Sequence, residues 1–298
     1  MRLNGVEIED TFAELFEMWV GRVLVTAKNE KWALTAANVA TGYASSIIGS
    51  PAEAGIEGTV SSKDTPDGRI GVLIQIWHHM RGDLKKQMIA RIGQCVMTCP
   101  TTAAFDALPE ATRRLKVGRS LRLFGDGFQK KDKIAGRTVW RIPVMEGEFT
   151  IESRFGARKA PAGGNFLILS EDLKSGLEAG EKAVEAIRNN ACRVILPFPG
   201  GVCRSGSKSG SAKYKLSAST NHPFCPTLKG ITLDTQVPEG VNSIYEIVMN
   251  GLTLNDIEKA MSEGIRAAAK VPGVVKISAG NYGGRLGPIQ VHLHKILK

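Results

Sequence analysis

The chain has 298 residues, 43% of them apolar, and 39 basic side chains outweigh 29 acidic ones to give a net charge of +10. This composition is typical of a globular protein of about two domains and excludes a disordered or collagen-like chain. No apolar run approaches the ~18 residues of a membrane span, and the acidic start of the chain predicts no secretory signal. Five cysteines without CxxC spacing favour a reducing, cytoplasmic location over a disulfide framework.

The first half of the chain alternates short β-branched runs with helical patterns. Leu84, Met88, Ile92 and Val96 are spaced four apart and so share one helix face. A polar, glycine-containing stretch predicts a hairpin with turns near Lys131 and Gly136. The predicted elements are strands at residues 20–27, 45–56 and 71–77, helices at 31–43 and 83–96, and the hairpin within 121–145.

The second half repeats this alternation. Thr253 and Asp256 have the spacing of a capping box, which predicts the start of a helix. The predicted elements are strands at residues 165–169, 193–196, 243–249 and 274–278, and helices at 172–188 and after Thr253.

Each half therefore follows the order strand–helix–strand twice. This order is the split βαβ, or ferredoxin-like, arrangement, in which helices cover one face of an antiparallel sheet. We predict an α+β fold with two ferredoxin-like lobes, residues 1–153 and 154–298. The hairpin within residues 121–150 could belong to either lobe.

Positive charge is concentrated in the second half, with net charges of +2 for residues 1–153 and +8 for residues 154–298. Residues 186–233 contain seven bases and no acid, which indicates an anionic partner, either a nucleic acid or a small molecule with carboxylates or phosphates. A second basic region, residues 113–141, has ten bases against two acids. It could be another such surface or simply solvated loops.

Glu246 is the most informative single residue. In the predicted strand 243–249 it shares a face with Ile244 and Val248, because side chains alternate along a strand. If this carboxyl group is buried, its pKa rises and it stays protonated near neutrality. It could then donate a hydrogen bond to an oxyanion or act as a general acid. The alternative is an edge-strand glutamate that faces water.

A glycine-rich, hydroxyl-rich and basic loop follows the strand at 193–196. Its exposed N–H groups and its Ser, Lys and Arg side chains could cradle an anion, although the P-loop spacing is missing. The alternative is a mobile surface loop. As a weaker hypothesis we assign substrate binding to Gly200, Gly201, Ser205, Ser207 and Lys208.

Two further glycine turns, residues 162–165 and 279–284, allow close approach of the backbone but do not match the dinucleotide fingerprint. Cysteine and histidine residues indicate no zinc site, because no Cys/His quartet has suitable spacing. His292 and His294 could begin a metal site on a strand, but surface residues are the favoured interpretation. The cysteines, Cys192 among them, are expected to be inert thiols.

An ordered set of short motifs resembles one known family, formylmethanofuran:tetrahydromethanopterin formyltransferase. The match runs along nearly the whole chain at similar spacing. The motifs are NGVEIEDTFA (4–13), PAEAG (51–55), TPDGR (65–69), RIGQCV (91–96), GDG (125–127), AGGN (162–165), PFPGG (197–201), YEIV (245–248) and KISAGNYGG (276–284).

The resemblance implies two ferredoxin-like lobes and a homotetramer built as a dimer of dimers, with active sites at subunit contacts. It implies transfer of a formyl group between methanofuran and tetrahydromethanopterin as co-substrates. No metal, flavin or nucleotide is implied, and neither is a nucleic acid or membrane partner. The buried glutamate proposed for the family maps onto Glu246.

The net charge of +10 departs from the acidic archaeal members of the family, and the segment NHPFCPTLKG (221–230) looks more like the bacterial type. That type is a subunit of a formyltransferase/hydrolase complex, which implies partner subunits and transfer in the oxidative direction toward formate. Two alternatives remain. The chain could be a non-catalytic scaffold subunit of that complex, or a basic nucleic-acid-binding domain, although the aromatic motif of RNA-binding sheets is absent.

Overall fold

The structure, a computed structural model, describes residues 1–190 and 193–298. Cys192 therefore lies outside the described residues. Six α-helices lie within the described part: α1 (Glu30–Thr41), α2 (Arg81–Arg91), α3 (Val117–Leu121), α4 (Leu173–Asn189), α5 (Leu254–Ala268) and α6 (Leu293–Ile296). Within the described ranges, no helix has the length and apolar character needed to cross a membrane.

The strands vary from two to sixteen residues in length. They are β1 (Arg2–Leu3), β2 (Val6–Ile8), β3 (Phe12–Thr26), β4 (Glu53–Val60), β5 (Gly71–His78), β6 (Ala103–Asp106), β7 (Arg113–Leu115), β8 (Lys130–Ile134), β9 (Arg137–Val144), β10 (Gly147–Glu152), β11 (Phe155–Ser170), β12 (Val194–Ile195), β13 (Ser207–Ser209), β14 (Ala218–Thr220), β15 (Ser243–Gly251), β16 (Val274–Ser278) and β17 (Ile289–His292).

Side-chain caps define where the long helices begin. The Thr253 hydroxyl accepts the Asp256 N–H at 3.1 Å and caps α5, and the Asp172 carboxylate accepts the Ser175 N–H at 2.8 Å and caps α4. Each cap satisfies an N–H group that has no partner inside its helix. The four predicted helices are confirmed to within about two residues, although α2 continues to Val96 as a π-helical turn.

The chain forms two compact units, and their limits fall within the long strands β3 and β11. The inserted unit contains residues 18–160. In it β3 lies between β5 and β6, and β4 pairs with the other edge of β5, all antiparallel. Along the chain these strands follow the order β3–α1–β4–β5–α2–β6. The alanine-rich face of α1 and Leu84 and Met88 of α2 join the core of this unit.

The terminal unit contains residues 1–17 and 161–298. Here β11 lies between β15 and β16, and β12 pairs with the other edge of β15. The order along the chain is β11–α4–β12–β15–α5–β16. The apolar faces of α4 and α5 pack with Phe166, Ile247 and Met249 in one core. The two units thus share one order of strands and helices.

The chain is therefore a mixed α/β protein, and the expectation of purely antiparallel sheets is wrong. In each unit one added strand runs parallel to its neighbour: β10 beside β6 and β2 beside β16. These added strands come from outside the strand–helix–strand repeats, so the repeats do not constrain their direction. Parallel pairing needs a long connection along the chain, and both strands have one.

Two local expectations are also corrected. The hairpin β8–β9 turns at Ala135 and Gly136, as expected for Gly136, but Lys131 lies inside β8 instead of a turn. The predicted strand at 45–56 begins only at Glu53. The predicted lobe boundary at residue 153 stays a prediction.

Candidate active site

The Glu246 backbone lies in the middle of the sheet of the terminal unit. On one side it pairs with Leu167 of β11. On the other side it forms an isolated bridge with Cys203: the Cys203 N–H donates to the Glu246 carbonyl at 2.8 Å, and the Glu246 N–H donates to the Cys203 carbonyl at 2.9 Å. The strand is therefore paired on both edges at this residue, and Glu246 is not on a sheet edge.

The Glu246 side chain projects from the sheet face opposite to the core that contains α4 and α5. Its neighbours Ile247 and Met249 belong to that core, and side chains alternate along a strand. Its cross-strand partner Leu167 lies on the same face as Glu246 and packs with Ile244 in a second, smaller apolar cluster. The Glu246 side chain thus shares its sheet face with apolar side chains.

The Glu246 carboxyl group has no hydrogen-bond partner within residues 1–190 and 193–298, and the residue is half-buried. Burial disfavours the charged form, and no donor compensates for it. Burial therefore raises the pKa of Glu246 from 4.5 to about 7. Near neutral pH a large fraction of this group is a neutral acid that can donate a hydrogen bond.

The glycine-rich loop leads directly to Glu246. A 3-10 turn spans Pro199–Gly201, and the chain reaches Cys203 two residues later. Gly200 and Gly201 have φ angles of +68° and +91°, which favour glycine. Gly200 is exposed with open space around it, whereas a Cβ at Gly201 would lie 2.9 Å from Val184. Gly200 can thus approach a ligand, and Gly201 shapes the turn.

The other predicted binding residues follow on the same loop. The Ser205 hydroxyl lies 3.4 Å from the Cys203 thiol. Ser207 is exposed at the start of the two-stranded ribbon β13–β14. The Lys208 ammonium lies 3.0 Å from His222 Nδ1. The structure thus places Ser205 beside the residue that bridges Glu246, while Ser207 and Lys208 lie on the ribbon.

Lys208 is part of a chain of three polar groups that the sequence analysis missed. His222 Nε2 lies 3.0 Å from the Asp234 carboxylate, while Nδ1 faces Lys208. If the lysine ammonium donates to Nδ1, the proton on Nε2 donates to Asp234. One signal was available, since Asp234 is the first acid after the acid-free stretch 186–233. The arrangement holds the lysine in a defined place.

The expectation of a turn at residues 162–165 is wrong: this segment lies inside β11, where the register shifts between Ala162 and Gly164. It meets the predicted glycine turn 279–284 at Asn165. Its amide oxygen accepts the Gly280 N–H at 2.6 Å, and its amide nitrogen donates to the carbonyls of Gly163 and Gly280 at 3.1 and 3.2 Å. In the turn 279–284, the Tyr282 hydroxyl accepts the Ser209 N–H at 3.3 Å. The turn 279–284 therefore contacts the ribbon that contains Lys208.

Glu14 holds the turn that follows Gly280. Its buried carboxylate accepts the backbone N–H groups of four residues, Tyr282, Gly284, Leu286 and Gly287. Burial acts to raise the pKa of Glu14, but these four donors outweigh it and the pKa is lowered. The sequence offered no signal for this role, because Glu14 and Tyr282 are 268 positions apart.

Within the described ranges, no group of three or more His, Cys, Asp or Glu side chains could hold a metal ion. His292 ends β17 and contacts the ring of Phe12, whereas His294 belongs to α6 and lies 2.8 Å from the Ile8 carbonyl. These two histidines therefore do not share one strand. Cys95, Cys99, Cys203 and Cys225 are free thiols.

Comparisons with known proteins agree along the whole chain. A family model described as formylmethanofuran-tetrahydromethanopterin formyltransferase matches residues 1–144, and a model for the proximal lobe of the same family matches residues 147–296. Formylmethanofuran–tetrahydromethanopterin formyltransferases from Methanocaldococcus jannaschii and Methanopyrus kandleri are each 53% identical. The first alignment covers 100% of both chains, and the second covers 99% of this chain and 100% of the relative.

Two solved structures are also similar. The formyltransferase from Methanosarcina barkeri is 51% identical with a TM-score of 0.96, and the alignment covers 99% of this chain and 100% of that one. A chain of the formyltransferase/hydrolase complex of Methylorubrum extorquens, solved with methylofuran, is 43% identical with a TM-score of 0.95, over 100% of this chain and 99% of that one. The chain belongs to the formylmethanofuran–tetrahydromethanopterin formyltransferase family.

Proposed function

We propose that this chain is a formyltransferase that moves a formyl group between methanofuran and tetrahydromethanopterin. The observation that carries the proposal is the half-buried Glu246 carboxyl group, whose pKa is raised to about 7 and which has no hydrogen-bond partner within the described ranges. Relatives named for this reaction, 53% identical over the full chain, support the substrate assignment. Both substrates are carriers that bind and leave, so no resident cofactor is part of the proposal.

The reaction needs a hydrogen-bond donor at the formyl oxygen. The attacking amine forms a C–N bond to the formyl carbon, and the C=O electron pair moves to oxygen. The attacking nitrogen then loses a proton and the leaving nitrogen gains one; the oxygen electron pair re-forms C=O while the old C–N bond breaks and its electron pair leaves with the protonated nitrogen. A donor that stabilises such an oxyanion typically contributes about 10²–10³ in rate. We assign this role, as neutral donor or general acid, to Glu246.

The basic loop is proposed to hold an anionic part of a carrier. Gly200 exposes backbone beside the strand of Glu246, and Ser205 lies within 3.4 Å of Cys203, which bridges Glu246. Ser207 and Lys208 follow on the adjacent ribbon, and Gly201 shapes the turn. Positioning of both carriers reduces the entropy cost of their encounter, an effect of up to roughly 7–11 kcal/mol.

We further propose that each lobe is ferredoxin-like, with the boundary between the lobes near residue 153. The shared element order of the two units supports this, since in both the first strand lies between the third and the fourth. We keep the prediction of a homotetramer, a dimer of dimers, and of a cytoplasmic location based on the cysteine pattern. Sedimentation analysis of the purified chain tests the oligomeric state.

The proposed direction is oxidative, with the formyl group passing toward formate in a formyltransferase/hydrolase complex. The net charge of +10 and the similarity to a chain of the Methylorubrum extorquens complex support this direction. Partner subunits would then supply the hydrolysis. The alternative, a non-catalytic scaffold subunit, is disfavoured because a scaffold does not need a raised carboxyl pKa at Glu246.

A spectrophotometric assay of formyl transfer tests the proposal. The purified chain receives formylmethanofuran and tetrahydromethanopterin, and the same assay is run on the chain copurified with its partners. Turnover in either sample supports catalysis. A folded oligomer that binds carrier without turnover in both samples overturns the proposal and favours the scaffold.

A further inference from the structure

The inserted unit contains a second basic region that the proposed reaction does not use. Its residues line a cavity of about 690 Å³, which we call the basic cavity: Arg114, Arg119, Arg122, Lys131, Gly136, Arg137, Thr138, Trp140, Glu152, Ser153 and Arg154. Six of these side chains are cationic and one is acidic. Such an excess of positive charge in a concave surface focuses the electrostatic field of the protein and attracts anions.

The single acid of the basic cavity already forms ion pairs with two arginines. The buried Glu152 carboxylate accepts a hydrogen bond from the Arg137 guanidinium at 2.9 Å, and the Arg114 guanidinium lies 4.0 Å from its other oxygen. Arg114 also pairs with the buried Asp106 at 2.7 Å. The charges of these two arginines and two acids therefore balance one another, and Arg114, Arg137 and Glu152 line the basic cavity.

The other four cations have no acidic partner within residues 1–190 and 193–298. Arg119, Lys131 and Arg154 are exposed, and Arg122 is half-buried with its guanidinium 4.5 Å from the centre of the Trp140 ring. The Arg122 Nε–H donates to the Arg119 carbonyl at 3.2 Å, and the other donors of these four cations face no acid in these ranges and are available to oxyanions. Arginine forks suit such groups because they can donate two parallel hydrogen bonds.

Most of the cations of the basic cavity are carried by helices and strands in close backbone contact. Helix α3, which contains Arg119, touches the end of β10 so closely that a Cβ at Gly118 would lie 2.0 Å from the Glu152 carbonyl oxygen. The Arg119 N–H donates to the Ser153 carbonyl at 3.1 Å. Across the hairpin, Lys131 pairs with Trp140. Arg119, Arg122 and Lys131 thus belong to helices or strands, and Arg154 follows the end of β10 by two residues.

We propose that the basic cavity is a binding site for a small polyanion that carries several phosphate or carboxylate groups. Arg119, Lys131 and Arg154 bind its oxyanions directly, and Arg122, held on Trp140, supplies a fourth cation. The Thr138 and Ser153 side chains add hydroxyl groups to the lining. A polyanion is required because a single oxyanion would leave most of the four cations unmatched.

Titration calorimetry at constant ionic strength tests this site, with inorganic tripolyphosphate as the phosphate probe and citrate as the carboxylate probe. The triple variant Arg119→Gln, Lys131→Gln, Arg154→Gln removes three exposed cations of the basic cavity. The matched control Arg113→Gln, Lys130→Gln, Lys133→Gln removes three exposed cations of the same region that do not line it. Both variants have the same net charge.

We expect one saturable site per chain for at least one probe. Its Kd should rise by about tenfold or more in the cavity variant and stay within about twofold in the control. The tighter probe identifies the source of the oxyanions. Failure of both probes to saturate, or equal weakening in both variants, overturns the proposal, as does tight binding of generic RNA with the same dependence on the cavity residues.

A second measurement uses the unmodified protein and so does not depend on variant folding. Phenylglyoxal modifies accessible arginines, and peptide mass spectrometry locates the modified positions. We expect the better probe to protect Arg119 and Arg154 but not the exposed Arg113. Equal labelling of all three arginines with and without the probe overturns the site. Because both readouts measure binding, failure of the proposed formyl transfer would leave the result interpretable.

Discussion

Two carboxyl groups of the terminal unit, the buried Glu14 and the half-buried Glu246, have pKa values that their surroundings shift in opposite directions. Glu14 accepts four backbone N–H groups of the turn after Gly280, and its pKa is lowered although burial acts to raise it. Glu246 has apolar neighbours and no donor within the described ranges, and burial raises its pKa to about 7. Burial alone therefore does not determine the charge of a carboxyl group; the number of donors facing it does.

The largest expected effect is on the rate of formyl transfer. Glu246→Gln keeps the shape but replaces the acidic O–H with a much weaker donor, so kcat should fall by about 10²–10³. Steady-state kinetics and a thermal melt check this prediction. Glu239→Gln, the same change at an exposed position of the same unit, serves as the control. A rate within about threefold of wild type would remove Glu246 from the mechanism.

The same substitution at Glu14 should lower the free energy of unfolding and not the rate of formyl transfer. In Glu14→Gln one carboxylate oxygen becomes an NH₂ group, which leaves buried N–H donors unsatisfied, at a cost of about 2–4 kcal/mol. Urea unfolding at pH 7 measures this loss against Glu239→Gln. Since the folded pKa is lowered, the stabilisation is present above the unfolded value near 4.5 and is lost as pH falls through the folded pKa. An unchanged unfolding midpoint at pH 7 would contradict the comparison.

The raised pKa of Glu246 also predicts how the rate of formyl transfer depends on pH. The neutral form of the substrate-free chain is lost above its pKa of about 7, so kcat/KM of the wild type should fall about tenfold per pH unit at high pH, while Glu246→Gln shows no such step. The contribution of Glu246 to the free energy of unfolding changes in the same direction with pH. The folded pKa is raised, so the stabilisation is present below about 4.5 and is lost as pH rises through about 7. A rate profile with the same midpoint in both proteins would rule this out.

The smallest expected effect concerns substrate binding. Lys208→Gln removes the cation held by His222, so KM for an anionic carrier should rise about five- to tenfold with kcat nearly unchanged. Lys213→Gln is the matched control, because that exposed lysine lies in the same basic stretch and contacts the Tyr214 ring at 5.4 Å. Equal KM values for both variants would mean that charge in general, and not Lys208, attracts the carrier.

Much of the fold could be predicted because it depends on local patterns. Spacings of four between apolar residues located α2, and the capping-box residue Thr253 located the start of α5. Alternation along residues 243–249 correctly separated Glu246 from Ile247. The added parallel strands β2 and β10 could not be predicted in this way, because their partners β16 and β6 are distant in the chain.

The features of the candidate site were likewise predictable only where they depend on local sequence. The sequence by itself determined the family, the glycine-rich basic loop and the placement of Glu246 on an apolar strand, since these depend on residue types in order. Only the tertiary structure decided the bridge between Cys203 and Glu246, the contact of Lys208 with His222 and Asp234, and the four donors to Glu14. Hydrogen bonding and desolvation depend on distances between side chains, and folding brings Glu14 next to the Gly287 N–H, 273 positions away in the chain.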